Sequence, residues 1–473
     1  MRKLIATIAV FVLLFSIMQT GTAAALPNKG GNGSGFDKKI TERFNSDLAM
    51  EHISHLSEDI GPRVAGTEEE LVAAEYIQQE LQAYGYETET ETFGIADRLE
   101  GDLTTSLNEE ELALRIATGS ASTQGENVTG KIVDAGVGLP DDFPDETEGN
   151  IALIERGEMS FWEKTENAIN AGAAGVIIYD NAEDLVPPTP SLGDNESSIP
   201  VVAITMEDGQ KLMEEIANEE VRTTLSITEI SDQQSQNIVA VKEPKGKPVN
   251  DDDIVYVTAH YDSVPYSPGA SDNASGTSVA LELARIMEPF PTDKEVRFVF
   301  FGAEEIGLVG SSEYVSGLSA QDVDNSLAAF NMDMVGTGWD QASALYVNVT
   351  DGAPNTVWQA AEAAGERLEN DSLILYERGA SDHVSFYEAG IDAANFILRD
   401  PETASLEPWY HTPFDTIDKI SPERIQTNGE LIGAAVYDTV RQDVPRGKPK
   451  STKNTPAPDA SDYLLNEEPV LTE

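Results

Sequence analysis

No cysteine occurs anywhere in the 473 residues. That absence excludes disulfides, thiolate metal ligands and a cysteine nucleophile, and leaves core packing and bound metal as sources of robustness. Basic residues are scarce: 30 Lys and Arg face 84 Asp and Glu, giving a formal net charge of −54. Such an imbalance works against nucleic-acid binding and against docking on anionic membranes. The acids run along the whole chain, as in Glu68-Glu69-Glu70, Glu109-Glu110-Glu111 and Asp251-Asp252-Asp253. That spread favours a solvated, halophilic surface, where screening relieves self-repulsion, over a field focused on cationic substrates. Histidine is also rare, with five in total.

Only one long apolar run is present, at the very start. Arg2 and Lys3 precede Leu4 to Met18, and Thr22-Ala23-Ala24-Ala25 offers small residues for cleavage. Residues 1–25 therefore read as a secretory signal peptide, and the run is short for a membrane span. The expectation is a secreted, extracellular protein with no membrane association once the segment is removed.

Hydrophobic residues make up 40% of the chain, enough for a globular core, and 473 residues are too many for one. Residues 26–44 are Gly/Asn/Ser-rich at their start and read as a flexible leader. Apolar residues then recur at helical spacing through Leu48, Ile53, Leu56 and Ile60, and a second helix is predicted over Glu68 to Tyr84, stopped by Gly85. Strand-like runs at 131–133, 151–154, 175–179 and 201–204, with a helical stretch at 161–171, form an inserted unit over 124–227. The main domain occupies 45–123 and 228–443, and the Pro/Lys/Asp-rich tail at 444–473 reads as disordered. In the second half, strands and helices alternate, which predicts an α/β sheet flanked by helices.

Three apolar strands of that half end in acid or imidazole. Ile254 to Ala259 delivers His260, Val296 to Phe301 delivers Glu304 and Glu305, and Leu327 to Asn331 delivers Asp333. Open α/β sheets carry their sites at strand carboxyl ends. Asp272 and His411 complete a set of two imidazoles and three carboxylates, enough for two zinc ions if one carboxylate bridges them. Asp262, two residues after His260, is placed to accept the other ring N–H of a ligating histidine. The pair Glu304-Glu305 allows one to ligate while the other serves as general base. Tyr410 is placed to donate to a developing oxyanion.

A single acid at a strand end is more often a helix cap or a solvated residue. Five compatible residues in five loop segments reverse those odds. His52 and His55 share a helical face without acidic company and read as ordinary structural histidines. Asp382 and His383 read equally well as a helix start or as site-lining groups.

These segments, in this order, resemble the co-catalytic di-zinc aminopeptidase family that includes secreted bacterial leucyl-type enzymes. The match runs through Gly61-Pro62-Arg63-Val64-Ala65-Gly66-Thr67, His260-x-Asp262, Asp272-Asn273-Ala274-Ser275-Gly276, Ala303-Glu304-Glu305-x-Gly307, Asn331-x-Asp333-Met334 and Tyr410-His411-Thr412. The resemblance implies a mixed, mostly parallel sheet flanked by helices and two Zn2+ per chain. One ion would take His260, Asp272 and Asp333, and the other Asp272, Glu305 and His411. Glu304 would be the general base, Asp262 the orienting acid and Tyr410 the oxyanion donor, with Met334 and Phe386 at the side-chain pocket. The inserted unit resembles a protease-associated domain, through Gly130-Lys131-Ile132, Glu155-Arg156-Gly157, Ser160-Phe161-Trp162-Glu163-Lys164 and Ala171-Gly172-Ala173-Ala174-Gly175-Val176-Ile177.

The function so implied is a monomeric aminopeptidase acting on peptides or proteins with a free N-terminus. A carboxypeptidase on the same scaffold would need a cationic clamp for the substrate carboxylate, for which Arg378 and Arg399 are the nearest basic residues. A glutaminyl-cyclase-like acyltransferase and a non-catalytic binding module are the remaining readings.

Overall fold

The computed structural model describes residues 33–106, 112–183, 186–244 and 253–441. The signal peptide, the leader up to Asn32 and the tail from 444 lie outside the described residues. Among the described residues fifteen strands, numbered in chain order, run β1 Thr88–Gly94, β2 Arg98–Thr105, β3 Arg115–Ile116, β4 Val128–Asp134, β5 Ile151–Glu155, β6 Gly175–Tyr179, β7 Val201–Ile204, β8 Arg222–Ile230, β9 Gln234–Lys242, β10 Ile254–His260, β11 Glu295–Phe301, β12 Ser326–Met332, β13 Ala344–Val349, β14 Leu373–Glu377 and β15 Ala393–Arg399.

Eight of them form the main sheet in the order β1-β9-β11-β10-β12-β15-β13-β14. The central strands β11, β10, β12 and β15 are mutually parallel, while β9 and β13 pair antiparallel at their flanks. β10 is buried at every residue, as its unbroken Ile-Val-Tyr-Val-Thr-Ala run requires when both faces are covered. The chain leaves β10 for β11 on one side and returns to β12 on the other. Loops that diverge in this way open a crevice at the strand ends.

The helices have local causes. Thr67 caps Glu68–Tyr84 with its hydroxyl on the Glu70 amide, and Gly85, at φ 108°, ends it in the left-handed conformation. No helix among the described residues is long and apolar enough to cross a membrane.

The seven-stranded second sheet, ordered β2-β8-β4-β5-β6-β7-β3, has its own core around Leu153, Ile177, Val202 and Leu225. It takes in more chain than the 124–227 segment read from sequence. β2 pairs along its length with β8, from Arg98↔Ile230 to Thr105↔Thr223, and β3 pairs with β7. β2 carries no apolar alternation that marks a strand, being an edge strand with charged residues and a central Gly101. A Cβ there would lie 2.7 Å from the Ser226 carbonyl.

The leader differs from expectation too. Gly33–Thr41 is helical, and Ile40 and Phe44 are buried in the main core. The final helix, Pro422–Arg441, admits them through two glycines one turn apart. A Cβ at Gly429 would come within 2.1 Å of the Phe44 ring, and one at Gly433 within 2.7 Å of Ile40. Asp37 adds a two-pronged ion pair to Arg367 at 2.9 and 3.0 Å. Ile40→Ala is therefore expected to cost about 2–5 kcal/mol. A lower denaturant midpoint in the variant, with specific activity unchanged, checks this.

Candidate metal centre

The expected site residues arrive from separate elements. His260 ends β10, Glu304 and Glu305 follow β11, Asp333 follows β12, Asp272 lies in the bent segment before the helix Gly276–Met287, and His411 sits in the loop before Ile417. The fold brings all six together. His260 Nε2 lies 3.3 Å from Asp272 Oδ1 and 3.6 Å from Asp333 Oδ1. His411 Nε2 lies 3.1 Å from Asp272 Oδ2 and 3.2 Å from Glu305 Oε2. The two oxygens of Asp272 thus face two different histidines. Donor atoms of His260, Asp272 and Glu305 lie within 4.8 Å of one another, so the two groups adjoin.

Those separations test the fit to zinc. Tetrahedral donors at 2.0–2.1 Å from an ion stand about 3.3 Å apart, close to the distances within each group. Asp333 Oδ1, Glu305 Oε1 and His411 Nε2 are buried without a hydrogen-bond partner, an arrangement that calls for a cation. The protonation pattern agrees. The acids around His260, Glu304 foremost, outweigh the effect of burial and hold its imidazole well above the usual range. Burial works against His411 in the same way, but Glu305 and Asp272 push it up to about 10. Burial and the neighbouring Asp272 raise Glu305 to about 7. Without metal, protons crowd where two divalent ions would replace them.

Glu304 is distinguished from Glu305 by position. It does not pair with His411, yet one of its oxygens lies within 4.8 Å of donors on His260 and Asp333. Burial raises its carboxyl well above the ordinary range, His260 opposes, and Asp382, Glu305 and Asp333 add to the rise. A carboxyl beside the donors with raised basicity suits proton transfer. Tyr410 stacks on His411 with ring centroids 3.7 Å apart.

Asp262 does more than its spacing suggested. Its Oδ1 lies 3.3 Å from His260 Nδ1 and also accepts the Glu304 amide at 3.1 Å, while Oδ2 accepts the Glu305 amide at 3.1 Å. One carboxylate therefore fixes the main chain of both glutamates. Asn273 does the same between loops: its side chain donates to the Met332 carbonyl at 2.9 Å and accepts from Met334 at 3.2 Å, bracketing Asp333. Ala303, Met334 and His411 adopt φ of 55°, 60° and 57°, so three of the segments meeting here are strained at non-glycine residues.

Asp382 belongs to the site and His383 does not line it. Asp382 is fully buried, and burial together with Asp262 and Asp333 raises it to about 7 against the pull of His260. His383 turns inward, its Nε2 3.0 Å from the Arg378 carbonyl, and burial lowers it to about 4. His52 lies elsewhere, between the hydroxyls of Tyr76 and Tyr84 at 2.5 and 3.0 Å. Phe386 departs from the pocket expectation. It is fully buried, with its ring centroid 5.0 Å from Tyr256 and 6.2 Å from Phe301, and fills the core instead. Met334 is buried with Ala344, Tyr346 and Ile397 in a small cluster against which Tyr410 packs.

Residues 237–436 match the profile of peptidase family M28, and residues 124–212 that of the PA domain. The aminopeptidase YwaD of Bacillus subtilis (strain 168) is 49% identical over 421 residues, spanning 89% of this chain and 90% of that protein. The chain belongs to peptidase family M28. Among solved structures, a zinc aminopeptidase from Bacillus subtilis superposes with TM-score 0.72 at 49% identity, covering 85% of this chain and 96% of the other. An aminopeptidase from Aneurinibacillus sp. strain AM-1 gives TM-score 0.59 at 37% identity, covering 87% and 97%. The M28 profile holds β10 to β15 and every proposed ligand, and the PA profile falls within the segment that builds the second sheet.

The metal-free M28 site has a pH signature. Unfolded, Glu407 ionises near 4.5, whereas burial and the nearby Asp415 raise it to about 8 in the fold. The folded state then holds a proton that the unfolded chain has lost, so stability falls as pH climbs from about 4.5 to 8. His411 keeps its proton from 6.5 to about 10, and the stabilisation it gives below 6.5 fades over that interval. Both slopes have one sign. The melting temperature of chelator-treated protein should drop steadily from pH 5 to pH 9, and zinc-loaded protein should show a shallower slope in parallel scans.

Proposed function

We propose that two zinc ions, the carboxylate of Glu304 and the hydroxyl of Tyr410 carry out the chemistry of this aminopeptidase, which removes N-terminal residues from peptides. His260, Asp272 and Asp333 would hold one ion, and Asp272, Glu305 and His411 the other. The observation that carries this reading is the division of the Asp272 carboxylate, with one oxygen 3.3 Å from His260 and the other 3.1 Å from His411. When bound, the ions polarise the scissile carbonyl and acidify water.

The chain's own residues then act in sequence. Glu304 takes the proton from the attacking water and delivers it to the departing amine. Asp262 keeps that carboxylate aimed by holding the Glu304 amide, and it steadies the His260 ring. Tyr410, braced by His411, donates its O–H to the oxyanion. Site carboxylates receive the substrate's free α-amine, which is why an N-terminus is required. The basic, apolar and small-residue order of residues 1–25 supports export.

The test is hydrolysis of a leucine chromogenic amide by mature protein before chelation, after it, and after zinc return. Activity lost and then restored establishes the metal aminopeptidase chemistry. Folded, zinc-loaded protein that leaves leucine and basic amides intact in low and high salt would move the assignment to the carboxypeptidase or cyclase reading.

A further inference from the structure

We propose that Arg63 and Asp415 are positioning residues that fix the bridging carboxylate of Asp272 by gripping its loop from both sides. The inference rests on the two-metal reading above and adds to it what sets the spacing of the metals.

Arg63 is fully buried, and its guanidinium reaches five main-chain carbonyls. Nε donates to Tyr261 at 2.7 Å, Nη1 to Leu56, Gly61 and Pro268 at 3.0, 2.9 and 2.7 Å, and Nη2 to Gly269 at 3.0 Å. Tyr261 stands between His260 and Asp262, and Gly269 is three residues before Asp272. A single planar group therefore ties the end of β10 to the loop that leads to the bridge. The backbone joins in, since the Arg63 amide donates to Ser263 Oγ at 2.9 Å and the Ser263 amide to the Arg63 carbonyl at 3.2 Å. Gly269 makes the approach possible: at φ 62°, a Cβ would lie 2.4 Å from the Asp272 carbonyl and 2.8 Å from Arg63 Nη2.

Asp415 grips the other side. Its Oδ1 accepts the Ser271 amide at 2.7 Å, its Oδ2 accepts the Asp272 amide at 3.0 Å, and its carbonyl accepts the Ala270 amide at 3.2 Å. It is fully buried and four residues from His411. The residue that orients Asp272 thus sits on the loop that supplies the second histidine. Tyr261, Asp272 and His411 are held in one frame by two side chains whose hydrogen bonds go to main-chain groups.

A buried charge with five main-chain acceptors is not replaced by lysine, whose point charge lacks the planar fork. Removing supports of this kind typically weakens metal binding about 10–100-fold. The experiment compares wild-type protein with Arg63→Lys and Asp415→Asn, each refilled with zinc after chelation. It measures zinc affinity by competition with a chromogenic chelator, the metal-free melting temperature, and kcat and KM for a leucine amide. The expected result is a 10–100-fold loss of zinc affinity in both variants. Saturating zinc should restore part of kcat, KM should stay near wild type, and circular dichroism should show the fold intact.

Unchanged zinc affinity in folded Arg63→Lys and Asp415→Asn overturns the proposal, even if their metal-free melting temperatures fall, because that pattern marks a purely structural role. Arg63→Met, with charge and fork both gone, separates two causes. If Lys retains full zinc affinity where Met does not, the charge acts and the fork does not, which also overturns it. Wild-type protein that takes up no zinc would overturn the two-metal reading itself, a result distinct from equal zinc uptake by wild type and variants.

Discussion

Glu304→Gln should lower kcat by about 10²–10⁴-fold, the range general-base catalysis supplies, while KM and zinc content stay near wild type. Glutamine preserves the shape of the side chain, and the main-chain amide that donates to Asp262 Oδ1 at 3.1 Å is untouched. Only the ability to accept a proton is lost. The neighbouring Glu305 does not substitute, because its Oε2 faces His411 at 3.2 Å, in the position proposed for a metal ligand. Steady-state kinetics paired with metal analysis of the same preparation check this. A variant with wild-type kcat would remove Glu304 from the mechanism, and one depleted of zinc would make it a ligand.

Asp272→Ala should have a larger effect still, because one carboxylate serves both halves of the centre. Its two oxygens lie 3.3 Å from His260 and 3.1 Å from His411, so truncation removes a donor from each group at once. Metal ions in such sites contribute several kcal/mol of transition-state stabilisation, and each 1.36 kcal/mol is tenfold in rate. Loss of both ions therefore predicts a fall of about 10⁴-fold or more at micromolar zinc. Asp272 raises Glu305 and Asp415, yet it also lies 3.3 Å from His260 and 3.1 Å from His411 and helps hold both imidazoles protonated in the metal-free site. Zinc stoichiometry near zero, with the fold intact by circular dichroism, is the expected pair of readings. Two tightly held ions in Asp272→Ala would show that the centre does not depend on a bridging carboxylate.

Much of the architecture could be read locally. Glu68–Tyr84 has its cap, its apolar face and its terminal glycine in consecutive residues, and β10 is an uninterrupted apolar run that ends at His260. Such elements are set by neighbours in sequence, and composition and periodicity suffice to locate them. β2 and the Gly33–Thr41 helix were not legible in the same way. The first holds its place by pairing with β8, more than a hundred residues away, and the second by fitting glycine notches on Pro422–Arg441. The core position of Phe386 is not legible for a related reason, since an aromatic residue near a site has the same sequence appearance whether it lines a pocket or fills the core behind it.

The sequence by itself determined which chemistry is open to this protein. Without cysteine, and with imidazole and carboxylate at the ends of apolar strands, the donors are nitrogen and oxygen at the mouth of an α/β sheet. Residue identity and strand periodicity are local, and they survive in the bare string of letters. Tertiary structure alone decided how those donors divide. It set the two oxygens of Asp272 toward different histidines, turned Asp262 onto the amides of Glu304 and Glu305, and buried Arg63 among five carbonyls. Each of these depends on segments far apart in the chain meeting to within a few tenths of an ångström. Close packing of a complete core is the physical means by which a chain specifies such distances.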